Sequence, residues 1–308
     1  MIVLGRNEVA ALLDPEALLA ALEAALADLS AGRASVPPRI AAVSPQGLLG
    51  AMAAYVPSPE VLAAKLVSVF PANVGMPTHQ AVIAVFDPRT GTPLAVLDGE
   101  EITAQRTAAV SAIATRHLAL PGAETLAIVG TGVQAASHAR YLALTRRFRR
   151  ILVAGRDPSK VAALAARIGG EPAGIEQAVR AAEVICAATH AQDPVIRREW
   201  LRPGSHLNSV GFNPRGQELD SVAAALLAVE ARSSAFAPPP AGANELRGVD
   251  PASAVELGEL IAGTRPGRMS MEQVTIYKSV GVAAEDAAAA ALVLRKARER
   301  GAGVTVEL

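Results

Sequence analysis

The chain has 308 residues, of which 51% are hydrophobic and only 3% aromatic, and its 29 basic side chains balance 29 acidic ones. That balance removes the electrostatic case for a nucleic-acid or anionic-membrane partner, and the length predicts about two domains with cores built from Ala, Val, Leu and Ile. The single cysteine, Cys186, excludes an internal disulfide and reads as an inert core residue in a reducing, cytoplasmic setting; no signal segment and no bilayer-long apolar run is seen.

Asp14-Pro15-Glu16 reads as a helix start, with an N-cap Asp and Pro in the first turn. Leu18, Leu19, Leu22, Leu26 and Leu29 form its apolar stripe, and Gly32 stops it. Val36-Pro37-Pro38-Arg39 cannot continue a helix. Strand-like runs follow at 48–56, 61–70, 79–86 and 93–97, the last two separated by a turn at 87–91. No helix interrupts them, so a mostly antiparallel sheet is predicted. A helix opens at Asp98 and runs to about Leu118, and Pro121-Gly122 marks a domain boundary.

Residues 126–135 then read as an apolar strand, a tight turn and a helix start. Gly130 and Gly132 are followed by Ala135 in the third small position, the GxGxxA form of the dinucleotide fingerprint. Gly130 lets the chain turn off the strand, Gly132 lets a pyrophosphate approach the backbone, and Ala135 lets the helix sit close to the sheet. Contacts to a dinucleotide are therefore expected from Gly130, Thr131, Gly132, Val133, Gln134 and Ala135, at a helix N-terminus. Alternation follows: helix 133–145, strand 151–154, helix 158–168, short helix 175–181, and strands 184–188, 206–210 and 223–229. A loop at 238–242, a helix at 254–262, a strand at 274–277 and a last helix at 281–300 complete the chain. The predicted fold class is α/β, a doubly wound parallel Rossmann sheet plus a smaller α+β domain. Residues 1–118 form the smaller domain and 119–287 the Rossmann domain, with the C-terminal helix, about 288–308, packing back on the first.

Cofactor choice is read at the end of the second Rossmann strand, where an acid that binds the ribose hydroxyls selects NAD. Gly155 stands in that place and Arg156 follows, which suits a 2′-phosphate; Asp157, before Pro158, reads as a helix cap. NADP(H) is favoured, with NAD as the alternative. Thr189 and Ser209, at later strand ends, are further expected contacts.

Two charges fall on apolar faces. Val61, Ala63, Lys65, Val67 and Val69 share one side of a strand, and Lys65 is its only polar member. Such a lysine snorkels out, lowers its pKa or meets an anion. Arg106 shares a helical stripe with Ile102, Ala109, Val110 and Ile113. A buried guanidinium needs a carboxylate, either an internal acid or a substrate. The five histidines show no metal-ligand spacing, so no metal is expected.

The blocks 65–71, 77–81, 95–115, 130–135, 208–211, 218–220 and 277–286, in this order over nearly the whole chain, resemble the ornithine cyclodeaminase/mu-crystallin family. The resemblance implies a substrate and dimerisation domain, a Rossmann domain with a cleft between them, and nicotinamide chemistry on small amino or imino acids. It implies carboxylate-binding arginines at Arg39 and Arg106 and an active-site lysine at Lys65. His79 is a candidate acid or supporting group at the substrate, a lone histidine being more often structural, and Lys278, in the last matched block, is an expected cofactor contact. Cyclodeaminases carry an aspartate after the 208–211 strand, and here the matching position is Asn213. An amide cannot take a proton from an ammonium group, so reduction of a cyclic imino acid, Δ1-pyrroline-2-carboxylate or Δ1-piperideine-2-carboxylate, is favoured. A cyclodeaminase or alanine-type dehydrogenase, and a non-catalytic small-ligand-binding protein, stay as alternatives. A homodimer through the first domain is expected.

Overall fold

The computed structural model describes residues 1–307 other than 212, 214, 215, 239 and 240. Part of the predicted 238–242 loop thus lies outside the described residues. The fold is α/β, in two compact units: Met1–Arg106 with Gly281–Leu308, and Thr107–Val280.

The chain opens with β1 (Ile2–Leu4), α1 (Arg6–Leu12) and α2 (Pro15–Ser30). The predicted cap of α2 is present: Asp14 accepts from Ala17 N at 2.9 Å, and Pro15 fills the first turn. Then come β2 (Ile40–Val43), β3 (Leu48–Pro57), β4 (Glu60–Val69), β5 (His79–Phe86), β6 (Pro93–Asp98) and α3 (Gly99–Leu118). The α/β series is β7 (Thr125–Val129), α4 (Val133–Thr145), β8 (Arg150–Ala154), α5 (Pro158–Ile168), β9 (Glu171–Pro172), α6 (Ile175–Ala181), β10 (Val184–Ala187), β11 (His206–Ser209) and β12 (Ala225–Val229). It continues with α7 (Arg232–Ala235), β13 (Val255–Glu256), α8 (Leu257–Ile261) and β14 (Val274–Lys278), and the chain closes with α9 (Ala283–Arg300) and β15 (Val304–Thr305).

Residues 254–262 correct the sequence reading. Only 257–261 are helical, because Val255 and Glu256 pair in parallel with β12 at the sheet edge. Glu256 then caps α8, its backbone N–H donating to the Glu259 carboxylate at 2.9 Å, so the helix starts after it. The strands β1, β2, β9, β13 and β15 were not predicted; runs of two to four residues carry no usable period.

In the first unit the sheet order is β15-β1-β6-β5-β4-β3-β2, antiparallel except where β1 pairs with β6. One face is inner. There the cross-strand row Met52, Lys65, Ile83, Leu97 is buried, and α9 packs against β3, β4 and β5 with α2 beside it. The alanines of α9 are buried almost without exception, which lets backbone and sheet approach closely. The opposite face carries the row Ile40, Ala51, Leu66, Val82, with Ile40 71%, Leu66 42% and Val82 45% exposed.

In the second unit the eight strands among the described residues are all parallel, in the order β13-β12-β14-β11-β10-β7-β8-β9. Strand β10 is buried throughout, as expected of a sheet covered on both faces. A polar chain runs through this core. His206 Nε2 donates to Asn208 Oδ1 (3.2 Å), His206 Nδ1 lies 2.9 Å from the Thr275 hydroxyl, and Asn208 Nδ2 donates to Thr115 Oγ1 (2.9 Å). Burial lowers the His206 pKa to about 3, so the ring is neutral. Cys186 is buried and its thiol is pushed well up by burial. No helix among the described residues is long and apolar enough to cross a membrane.

Candidate functional site

The fingerprint turn has the geometry its residues predict. Gly130 leaves β7 at φ +122°, and a Cβ there would sit 2.5 Å from Ala188 O, so only glycine fits. Gly132 is the N-cap of α4, with no atom within 4 Å of where its Cβ would stand. Helix α4 has no side-chain cap and no acid in its first turn, which leaves its leading N–H groups for an anion. Ala135 is fully buried and Val133 is exposed. Gln134 accepts at its carbonyl from His138 Nδ1 at 2.7 Å, and Thr131 lies beside Gly155. These residues fit a dinucleotide diphosphate.

At the end of β8, a Cβ on Gly155 would lie 3.2 Å from both Thr131 Cγ2 and Val161 Cγ2, so an acid there would be crowded. Asp157 is committed as the cap of α5, accepting from Ser159 N (3.0 Å) and Lys160 N (3.2 Å). Arg156 is exposed and makes no hydrogen bond or ion pair among the described residues.

The carboxyl ends of β10, β11 and β14 converge on Glu218, which sequence reasoning had not singled out. This buried carboxylate accepts from Thr189 N (2.6 Å), Thr189 Oγ1 (2.7 Å), Ser209 Oγ (2.9 Å) and Gly211 N (2.8 Å). Lys278 Nζ donates to Ser209 Oγ (3.2 Å), Gly211 O (2.9 Å) and Glu245 Oε1 (3.1 Å). The predicted cofactor contacts Thr189, Ser209 and Lys278 are thus brought together, but their polar atoms are turned to protein partners. Nearby, Asn213 Nδ2 donates to Ala191 O at 3.1 Å.

The first unit holds a second buried cluster. Lys65 is 4% exposed on the inner sheet face, so it does not snorkel. Its Nζ donates to Asp286 Oδ1 at 3.3 Å. Burial lowers the Lys65 pKa to about 8, Asp286 opposing the effect and Arg106 adding to it. Arg106 donates from Nε to the same Asp286 oxygen (3.0 Å) and from Nη1 to Glu285 Oε2 (2.6 Å). Of the two carboxylate sources left open for Arg106, the internal acid is therefore the one present. Glu285 and Asp286 lie in the first turn of α9, where the helix dipole favours negative charge. Burial would raise the Asp286 pKa, but the Arg106 and Lys65 charges outweigh it and hold the carboxyl below its ordinary value.

Both predicted arginines meet at Gly281. Arg39 Nη2 donates to its carbonyl at 2.8 Å. A Cβ on Gly281 (φ +68°) would lie 2.7 Å from Arg106 Nη1. His79, at the start of β5 opposite Val69, is exposed and 3.1 Å from Thr78 Oγ1. Two acids in the first turn of an alanine helix were the signal that could have found Glu285 and Asp286. No group of three or more His, Cys, Asp or Glu among the described residues could hold a metal ion.

Comparison with known proteins adds four findings. The model of the ornithine cyclodeaminase/mu-crystallin family matches residues 1–301. The chain is 39% identical over 289 residues, 90% of each protein, to the ketimine reductase mu-crystallin of Mus musculus. Its fold superposes with a TM-score of 0.92 on the Thermococcus litoralis Δ(1)-pyrroline-2-carboxylate reductase in complex with NADH and L-proline, at 32% identity over 99% of this chain and 100% of that one. A TM-score of 0.92 is also found for an archaeal alanine dehydrogenase dimer with bound NAD, at 28% identity over 100% and 99%.

Proposed function

The chain belongs to the ornithine cyclodeaminase/mu-crystallin family, and from that premise we propose that it is an NAD(P)H-dependent reductase of small cyclic imino acids. The observation that carries this reading is the buried pair Lys65 and Arg106: a lysine with one hydrogen bond among the described residues, beside an arginine held at fixed aim. Arg39 and Arg106 hold the substrate carboxylate, and their convergence on Gly281 supports that pairing. Lys65 Nζ orients the same carboxylate or gives its proton to the imine nitrogen. When bound, the reduced nicotinamide supplies the hydride that the imine carbon accepts. Fixed charges that need no rearrangement lower the barrier by placement.

Asn213 favours reduction over deamination, since its amide is spent on the Ala191 carbonyl and has no basicity to offer an ammonium group. NADP(H) is the preferred cofactor in this reading; crowded Gly155, committed Asp157 and unpaired Arg156 support it. The alanine dehydrogenase relative is a dimer. A homodimer is proposed here too, with the outer row Ile40, Ala51, Leu66, Val82 as the apolar surface a second copy covers.

The test is NADPH oxidation in the presence of Δ1-pyrroline-2-carboxylate and of Δ1-piperideine-2-carboxylate, with ornithine plus NAD as control. Turnover of one or both imines is expected. Ammonia release from ornithine without imine turnover would overturn the reading.

A further inference from the structure

Among the described residues, Asp286 is the acid that hydrogen-bonds both cations. A single oxygen, Oδ1, accepts from Lys65 Nζ and from Arg106 Nε, while Oδ2 is buried with no hydrogen-bond partner among the described residues. Glu285 reaches Arg106 by hydrogen bond but Lys65 only through space. We infer that Asp286 is a positioning residue of the active site: it keeps the proton on Lys65 and fixes the aim of the Arg106 guanidinium, so that both cations face an anionic substrate ready-made. The inference rests on the reading of Lys65 and Arg106 as substrate-binding groups.

Charge count in a dry place decides which group responds when Asp286 is changed. Lys65 faces Asp286 and Glu285 from α9 and Arg106 from α3, and its cross-strand neighbours Met52 and Ile83 are uncharged. Two carboxylates balance two cations. Remove the Asp286 charge and one positive charge is in excess, in surroundings where a lone ion is costly. Arginine cannot give up its proton, so lysine is the group that yields. The loss of Asp286 is therefore felt first as a change in the protonation of Lys65. Burial and Arg106 already pull its pKa down to about 8, and the Asp286 charge is the largest effect opposing them.

The experiment is a pH titration by NMR of the full-length protein carrying [13Cε]lysine. The chain has lysines only at 65, 160, 278 and 296, so Lys65 can be assigned by loss of its signal in Lys65→Met. In Asp286→Asn the Lys65 midpoint is expected to fall by about one pH unit or more, a tenfold loss of proton affinity. Asp286→Glu is expected to restore it. The pH profile of kcat/KM for imine reduction should lose its alkaline side by the same shift, so that Asp286→Asn recovers activity as the pH is lowered. A folded Asp286→Asn protein whose Lys65 midpoint and alkaline limb are those of the parent overturns the inference. If Asp286→Asn does not fold, adding Lys65→Met is expected to restore the fold, because it removes the cation left without its partner; a double variant as unstable as the single overturns the inference. The NMR arm needs no turnover. A parent protein that reduces neither imine would sink the functional reading and leave this one to be decided by the titration.

Discussion

Two buried lysines, one in each unit, are treated differently. Lys278 gives its three ammonium hydrogens to three acceptors, Ser209 Oγ, Gly211 O and Glu245 Oε1. Lys65 gives one, at 3.3 Å, to an aspartate it shares with an arginine. Burial penalises both ammonium groups, and hydrogen bonds are what offset the penalty. Stability alone would saturate both. The contrast separates a buried ion with donors to spare, for which we propose work on the substrate, from a saturated one that holds the fold around it.

Replacing each lysine with methionine separates the two roles most strongly. Lys65→Met leaves Asp286 still bonded to Arg106, so it should fold and melt near the parent temperature. It should lose turnover by about 10²–10⁴-fold, the usual scale for a missing acid–base group. Lys278→Met strands Glu245 in the interior, and its main loss should be in stability, about 3–5 kcal/mol. Melting temperature and reductase rate measured together on both variants decide the matter. A Lys65→Met protein as stable and as active as the parent would remove the basis of the site.

His206, in the core of the second unit, makes stability depend on pH. Its ring is neutral in the folded protein, with its pKa lowered from 6.5 to about 3. The unfolded chain binds a proton there at higher pH than the folded one. The stability it contributes is therefore present above about pH 6.5 and lost as the pH falls toward about 3, at roughly 1.4 kcal/mol per pH unit. Melts between pH 7 and pH 4 should show a shallower decline for His206→Gln than for the parent. Parallel curves would show that His206 stays out of the acid transition.

The smallest expected effect is at the surface, where Arg156, like Lys65, has uncommitted donors. NADPH should bind more tightly than NADH, and Arg156→Ala should shrink the difference by about 1–3 kcal/mol, the range for a phosphate–arginine contact. Equal affinities in the parent protein would deny Arg156 that role.

Local patterns were legible in the sequence, and distant pairings were not. The fingerprint could be read because each small residue answers a local demand, as Gly130 does against Ala188. Lys65 and Arg106 stood out because a charge interrupts an apolar period. Their acids did not, since Asp286 lies 221 residues from Lys65 and 180 from Arg106, and no local period connects them. Glu218 was hidden for a related reason. Its role comes from strand ends that parallel pairing brings together, and the pairing order is not written in any one segment. Short strands such as β2 and β15 were invisible because their pairing partners, and not their own residues, make them strands.

The return of α9 to the first unit has a consequence for biosynthesis. The Rossmann unit is one uninterrupted stretch, Thr107–Val280, whereas the first unit is completed only by residues that follow it. A ribosome therefore delivers Lys65 and Arg106 long before it delivers Glu285 and Asp286. Until those two codons are translated, the carboxylates that hold the cations in the finished protein do not exist. Inner-face packing of β3 and β4 must wait for the same helix. The nascent chain can build its nucleotide-binding half first, and the charge cluster that we assign to the substrate is among the last parts of the molecule to close.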